Sequence, residues 1–173
     1  DRNGKKRVYA GRLLLDLEPV DTVRFQLNLN GWHESGETLS PQYVATLPQQ
    51  ATLSPNVANQ AFSPRKPRAT DWTPGLPYMN KDMFQAAFRG DVDLTDSVTF
   101  TSLTSYVYYN QKQRAEGDGL PAISLDLVKN DGTIKSFAQE ARLSNNDTFG
   151  LRWVLGANYE RSHVKEEAQA SCP

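Results

Sequence analysis

Apolar and polar residues alternate with a period of two over five stretches of this chain, and a sixth, 98–113, is rich in Thr, Tyr and Val but shows no clear apolar face. In the last of the alternating stretches, Leu151, Trp153, Leu155, Ala157 and Tyr159 are separated by single residues that are mostly polar or small. Because successive side chains of a β-strand point to opposite faces of its sheet, this alternation predicts strands with one apolar face. The predicted strands lie near residues 8–18, 23–34, 83–94, 98–113, 134–144 and 150–165.

The connections between these strands are alternately short and long. Turns of a few residues close each hairpin, whereas residues 35–82 and 114–133 form long loops, the first of which is rich in proline. Short turns at one end and long loops at the other, joined by strands of about ten residues, are typical of transmembrane β-barrels. The predicted fold class is therefore all-β, with about six antiparallel up-and-down strands, in three hairpins, forming part of a transmembrane β-barrel wall.

Composition and the absence of known motifs argue against several classes of function. With 19 basic and 20 acidic residues and a net charge of -1, the chain has no basic surface for nucleic acid, and we expect no such partner. A phosphate-binding glycine loop, a nucleophile elbow and a Cys–His pair are all absent from the sequence, so we expect neither an enzyme nor catalytic residues nor a cofactor. His33 and His163 lack the neighbours and spacing of metal ligands, so we expect no metal site.

Charged residues recur on the polar face of the predicted strands, which would face the lumen of a barrel. Two roles are open for these residues: binding a ligand, or forming ion pairs with one another across the barrel wall and with a plug domain. We favour ion pairing. Glu140 and Arg142, two residues apart, are expected to meet Arg152 on the next strand. The residues concerned are Arg12, Asp16, Arg24, Arg89, Asp91, Asp93, Glu140, Arg142, Arg152 and Glu160.

Aromatic residues occur both in the first long loop and on the apolar faces. Tyr43, Trp72 and Tyr78 are candidates for stacking on a sugar or a chelate, although packing of the loop on itself explains them equally well. Trp153 and Tyr159 are expected in the aromatic girdles at the membrane interfaces, the alternative being the core of a soluble sandwich.

Several segments resemble the barrel of TonB-dependent outer-membrane receptors. They are FQAAFRGDVDLTDSVTFTSLTSYVYYNQ at 84–111, IKSFAQEARLSNNDTFGLRWVLGANYE at 134–160, GRLLLDLEPVDTVRFQLNLNG at 11–31 and DWTPG at 71–75. The resemblance implies a plugged barrel of about 22 strands in the bacterial cell outer membrane. It also implies uptake of a scarce ligand, such as a siderophore, a cobalamin or a glycan, with outer-membrane lipid, TonB and the receptor's own plug domain as partners.

Six strands are too few to close a barrel, since bacterial barrels begin at about eight. We therefore expect the chain to be an internal fragment of the barrel domain, without the plug domain, the TonB box or a signal peptide, and its ligand stays unidentified. The main alternative is a soluble β-sandwich or β-barrel module that binds carbohydrate or another ligand, in which the same apolar faces form the interior. A porin-like barrel without a plug is the third.

Overall fold

Six β-strands form one antiparallel sheet in the computed structural model, which describes residues 4–38, 41–45, 47, 55–58, 77–120, 126–145 and 150–171. Neighbours in sequence are neighbours in the sheet, in the order β1-β2-β3-β4-β5-β6. The predicted all-β class with six antiparallel up-and-down strands is thus confirmed. The strands are β1 (Lys6–Val20), β2 (Val23–Gly36), β3 (Tyr78–Thr95), β4 (Val98–Ala115), β5 (Asp126–Asn145) and β6 (Val154–Ser171), and one helical turn, α1 (Pro55–Ala58), lies between β2 and β3.

Most strands are longer than the alternation indicated. β3 begins at Tyr78 rather than at 83, and β5 begins at Asp126 rather than at 134. In these extensions the apolar residues are adjacent, Tyr78 with Met79 and Leu127 with Val128, and the rest are mostly polar, so the sequence shows no period-two pattern. Backbone pairing holds the extensions in the sheet. The second loop is shorter than predicted, because β4 ends at Ala115 and β5 already begins at Asp126.

Short connections close the hairpins at one end of the sheet, with two residues between β1 and β2 and between β3 and β4, and eight between β5 and β6. Between β3 and β4, Thr95 Oγ1 accepts hydrogen bonds from the backbone N–H groups of Ser97 at 3.3 Å and Val98 at 3.1 Å. Between β5 and β6, Asn145 Oδ1 accepts one from the Trp153 N–H at 2.7 Å, and Asn145 Nδ2 donates one to the Leu151 carbonyl at 3.0 Å. Because these bonds hold Leu151 and Trp153 in the turn, β6 begins at Val154 and not at 150 as predicted.

At the opposite end of the sheet, the described parts of the two long loops pack on each other. Thr38 Oγ1 donates a hydrogen bond to the Arg114 carbonyl at 2.7 Å. Gly119 has a positive φ of 75°, and a Cβ there would lie 2.7 Å from the backbone N of Tyr43. Glycine is therefore required where the second loop crosses the first. We call this end of the sheet the loop end and the other the turn end.

The pairing register divides the strands into an apolar face and a polar face. On the apolar face, Phe25 stacks on Phe88 with ring centroids 5.6 Å apart, and Phe137 lies 6.5 Å from Tyr159. The register also assigns the faces of β4, which the sequence left undecided. The apolar face comprises Tyr9, Leu13, Leu15, Leu17, Val23, Phe25, Leu27, Leu29, Phe84, Ala86, Phe88, Val92, Phe100, Tyr106, Tyr108, Phe137, Ala141, Leu143, Leu155, Ala157 and Tyr159, with a few small or polar residues between them.

This apolar face lies on the surface. Leu17 is 61% exposed and Leu155 67%, and Leu120 is the one buried hydrophobic side chain within the described residues. A contiguous apolar surface of this extent is unfavourable in water and marks a face that contacts lipid or another apolar surface. The described residues contain no helix with the length and hydropathy required to cross a bilayer.

Candidate functional site

The polar face of the sheet brings together charged residues from three strands near the turn end. Arg24 on β2 is the register partner of Asp91 on β3, which is in turn the partner of Thr101 on β4. Alternation on each strand places the next polar-face residues beside them. We call this group the turn-end cluster; it consists of Arg24, Arg89, Asp91, Asp93, Thr99 and Thr101.

Two carboxylates in this cluster are each held by one guanidinium and one hydroxyl. Arg24 Nη1 lies 3.1 Å from Asp93 Oδ2 and Arg24 Nη2 lies 3.1 Å from Asp93 Oδ1, while Thr99 Oγ1 donates to Asp93 Oδ1 at 2.7 Å. Such bidentate pairs fix the orientation of both side chains as well as attracting them. The pair ties β2 to β3, and the hydroxyl ties β3 to β4.

The second carboxylate, Asp91, repeats this arrangement one step further from the turn. Arg89 Nε lies 2.8 Å from Asp91 Oδ2 and Arg89 Nη2 lies 3.1 Å from Asp91 Oδ1, and Thr101 Oγ1 donates to Asp91 Oδ1 at 2.6 Å. Thr101 is only 7% exposed, so its hydroxyl needs this partner. The two Arg and two Asp side chains balance each other in charge.

The hydroxyls of Thr99 and Thr101 were missed in the sequence because the faces of β4 could not be assigned. A signal was present, since the two-residue turn at Asp96 and Ser97 fixes which residues of β3 and β4 lie opposite each other. The cluster continues onto β1, where Asp16 Oδ1 accepts a hydrogen bond from Gln26 Nε2 at 2.9 Å.

Over β5 and β6 the polar face carries a sparser set of contacts. Glu140 Oε1 lies 3.5 Å from Arg142 Nε, but the register partner of Arg142 is Gly156, and Arg152 precedes β6. The expectation that Glu140 and Arg142 meet Arg152 is therefore wrong, because β6 begins later than its alternation indicated and Glu140 is paired with Asn158. Glu160 accepts a hydrogen bond from Ser162 at 3.1 Å.

On the first strand, Arg12 lies beside Asn30 of β2 in the register. Within the part of the chain that the structure describes, Arg12 and Arg152 form no ion pair. Arg12 therefore presents a guanidinium on the polar face, whereas Arg152 lies in the turn.

Towards the loop end, two aromatic rings lie on the polar face, between the turn-end cluster and the ion pair of Lys6 with Glu34. Trp32 on β2 lies 6.1 Å from Tyr109 on β4, with the rings tilted by 57°, and the Tyr109 hydroxyl donates to Gln111 Oε1 at 2.8 Å. The sequence did not single out either ring, although Trp32 continues the polar-face phase of β2. Flat, partly exposed rings beside hydrogen-bonding groups are suited to stacking on a planar or sugar-like ligand.

The three loop aromatics proposed from the sequence lie in different settings. Tyr43 is half-buried beside Gly119, where the two loops cross. Tyr78 is the first residue of β3 and is paired with Arg114, and alternation places it on the same side as the apolar face, away from the polar face. Trp72 lies outside the described residues. The structure thus does not join these three into one site.

Two separate pairs of charged residues lie at the loop end on the apolar side. His33 Nδ1 lies 2.7 Å from Asp82 Oδ1, and Arg114 Nη1 lies 2.7 Å from Asp131 Oδ1. The hydrogen bond from Arg114 holds the pKa of Asp131 below its ordinary value of 3.8. In the described ranges, no group of three or more His, Cys, Asp or Glu side chains is placed to hold a metal ion.

Comparisons of the chain with protein family models, with characterised proteins and with solved structures found no match. The geometry of the sheet and the sequence pattern therefore carry the functional argument.

Proposed function

We propose that this chain forms part of the wall of a β-barrel receptor in the bacterial outer membrane, with the apolar face in lipid and the polar face towards the lumen. One observation carries the proposal. The residues of the apolar face form a band, here called the apolar band, that crosses the sheet obliquely. Its inclination matches the angle that the strands of a membrane barrel make with the barrel axis.

The boundary of the band at the loop end is marked by aromatic residues. The last aromatic side chains on the apolar face are Tyr9, Phe84, Tyr108, Phe137 and Tyr159, on β1, β3, β4, β5 and β6. Two residues beyond each of them, the next position on the same face is polar: Arg7, Asp82, Asn110, Lys135 and Arg161. An aromatic border followed at once by polar residues is the composition of a membrane interface.

This border does not follow the hydrogen-bonding rows of the sheet. The hydrogen-bonding row that contains Tyr9 reaches β6 at Lys165. It passes through His33, Asp82, Asn110 and Thr133. The border on β6 is nevertheless at Tyr159, six residues nearer the turn end than Lys165.

The offset converts into a tilt angle. At about 3.3 Å per residue, six residues displace the border by about 20 Å, while five strand spacings of about 4.8 Å span about 24 Å. The band is therefore inclined by about 40° to the hydrogen-bonding rows, which run perpendicular to the strands. If the band is parallel to the membrane plane, the strands tilt by the same angle, within the ~35–45° of transmembrane barrels.

The width of the band is consistent with this geometry. On β3 the apolar positions run from Phe84 to Val92, a length of about 26 Å at about 3.3 Å per residue. Tilted by about 40°, this length spans about 20 Å along the membrane normal, and the end side chains extend it towards the ~25 Å apolar band of known barrels. A soluble sandwich would instead need a second layer over these exposed side chains.

Spin labels on adjacent residues test the proposal. A label at Phe88→Cys, in the middle of the band, should be accessible to oxygen dissolved in lipid and inaccessible to a water-soluble nickel complex. A label at the neighbouring Ala87→Cys, on the polar face, is the matched control and should not show the lipid pattern. The protein is studied in its native membrane. Equal accessibility at both sites, or recovery of the protein in the soluble fraction, would support the soluble module instead.

The more specific proposal, uptake energised by TonB, is supported by the resemblance of 84–111 and 134–160 to receptors of that family. Ferric chelates, cobalamin and labelled oligosaccharides would be supplied separately to cells lacking this protein and to cells lacking TonB. Loss of uptake of the same compound in both strains is expected. Uptake that needs this protein but not TonB would identify a passive, porin-like barrel.

A further inference from the structure

A group of basic side chains lies on the apolar side of β5 and β6, immediately beyond the aromatic border. Arg161 is the register partner of Phe137, Lys135 that of His163, and Lys165 that of Thr133. All four basic side chains are exposed. We call this group the basic patch; it consists of Lys135, Arg161, His163 and Lys165.

Side chains in the patch are close enough to act on one ligand. Directly opposite residues on neighbouring strands have Cβ atoms about 5 Å apart, and diagonal neighbours are about 7–8 Å apart. Lysine and arginine side chains reach across these distances. Like charges in such positions repel each other, so the patch costs free energy unless an anion lies over it.

The described residues do not balance the charges of the patch. Some basic groups at the loop end are paired, as Lys129 is with Glu167 and Arg114 with Asp131. Within the described ranges, Lys135, Arg161 and Lys165 form no ion pair. Among the described residues, the patch thus carries a net positive charge.

We infer that the basic patch binds the phosphorylated headgroup of a lipid in the outer leaflet. The inference rests on the proposed function, because short turns face the periplasm and long loops the exterior in bacterial barrels, which puts the patch at the outer surface. Basic clusters beside a membrane-embedded surface attract anionic headgroups. Phe137 and Tyr159, 6.5 Å apart at the border, supply an apolar surface for the chains of the same lipid.

Lipid binding to the protein purified from its native membrane tests the inference. Native mass spectrometry in a neutral detergent would compare lipid A carrying two phosphates with its monophosphorylated form and with inorganic phosphate. The wild type should bind the two-phosphate lipid most tightly, and inorganic phosphate should not displace it. The variant K135Q/R161Q/K165Q should bind it about a hundredfold more weakly, since each basic residue near a membrane surface contributes about fivefold.

A matched variant, K5Q/R7Q/K81Q, removes three charges from outside the patch that also form no ion pair in the described residues, and should bind as the wild type does. Heat-modifiable mobility on a denaturing gel verifies that each variant is folded. Equal binding by the patch variant and the wild type, equal affinity for both lipids, or displacement by inorganic phosphate would each refute the inference. Recovery of the protein outside the outer membrane would instead refute the proposed function, so the two failures are distinguishable.

Discussion

The oblique band predicts that two residues in one hydrogen-bonding row lie at different depths in the membrane. Leu13 on β1 and Phe137 on β5 belong to the same row, through Leu29, Ala86 and Tyr106. Four strand spacings of about 4.8 Å separate them, or about 19 Å across the sheet. With the row inclined by about 40°, Phe137 lies about 12 Å from the depth of Leu13, which is half the ~25 Å thickness of the apolar band.

The difference in depth sets the cost of a charge. Leu13 occupies the middle of the band on β1, so Leu13→Arg should lower the free energy of unfolding by about 2–4 kcal/mol relative to Leu13→Ala. At the interface, Phe137→Arg should cost only about 0–1 kcal/mol relative to Phe137→Ala. The alanine references remove the loss of each side chain's own packing. Arg161, the register partner of Phe137, already carries a charge at this level.

The assay is denaturant unfolding of the protein in lipid vesicles, followed by tryptophan fluorescence and by gel mobility. Equal costs at the two sites would mean that the row is parallel to the membrane plane, and would refute the tilt. Small costs at both sites would mean that neither side chain contacts lipid, and would refute the barrel itself.

Three further outcomes are expected. Thr101→Val should lower the free energy of unfolding by about 1.5–3 kcal/mol, because it removes a buried hydrogen bond to a carboxylate, and Thr99→Val should have a smaller effect. Gly119→Ala, at a φ of 75°, should cost about 1–2 kcal/mol and speed proteolysis of the two loops that cross there; an unchanged cleavage rate would argue against this packing. By NMR, the carboxyl of Asp131, six residues beyond the band, should titrate below 3.8, and Arg114→Gln should raise its pKa towards 3.8. The lowered pKa implies a stabilisation that is present above pH 3.8 and is lost as the pH falls through the folded-state pKa, and a pKa unmoved by Arg114→Gln would contradict the ion pair.

The sequence predicted those features of the fold that appear as alternation of apolar and polar residues. Where a strand crosses the apolar band with polar residues on its other face, as β2 does from Val23 to Leu29, both the strand and its faces were predictable. β4 has Thr, Ser and Tyr in both phases, so its strand was predictable but its faces were not. Its assignment comes from the register with β3.

Features that depend on pairing between strands left no trace in any single segment. The extension of β5 back to Asp126 shows no alternation, because its apolar residues Leu127 and Val128 are adjacent. The late start of β6 depends on hydrogen bonds made by the Asn145 side chain. The oblique band likewise requires the register of all six strands, because each strand alone shows only where its own apolar stretch ends. Pairing, rather than composition, thus determines the geometry on which the functional proposal rests.

The two edges of the sheet provide an independent prediction. In the described residues, β1 pairs only with β2 and β6 pairs only with β5. An unpaired backbone amide in the hydrocarbon core costs several kcal/mol, so in a membrane both edges must be paired with further strands, whichever polypeptide supplies them. Those strands should continue the incline, with the band nearer the loop end beside β1 and nearer the turn end beside β6. Hydrogen exchange on the protein in its native membrane measures this pairing directly. If the edges are paired, the amides of Lys6–Val20 and Val154–Ser171 should be as protected as those of β3. If about half of the amides in either edge strand exchange at the rate of an open chain, that edge is free, and a closed barrel is refuted.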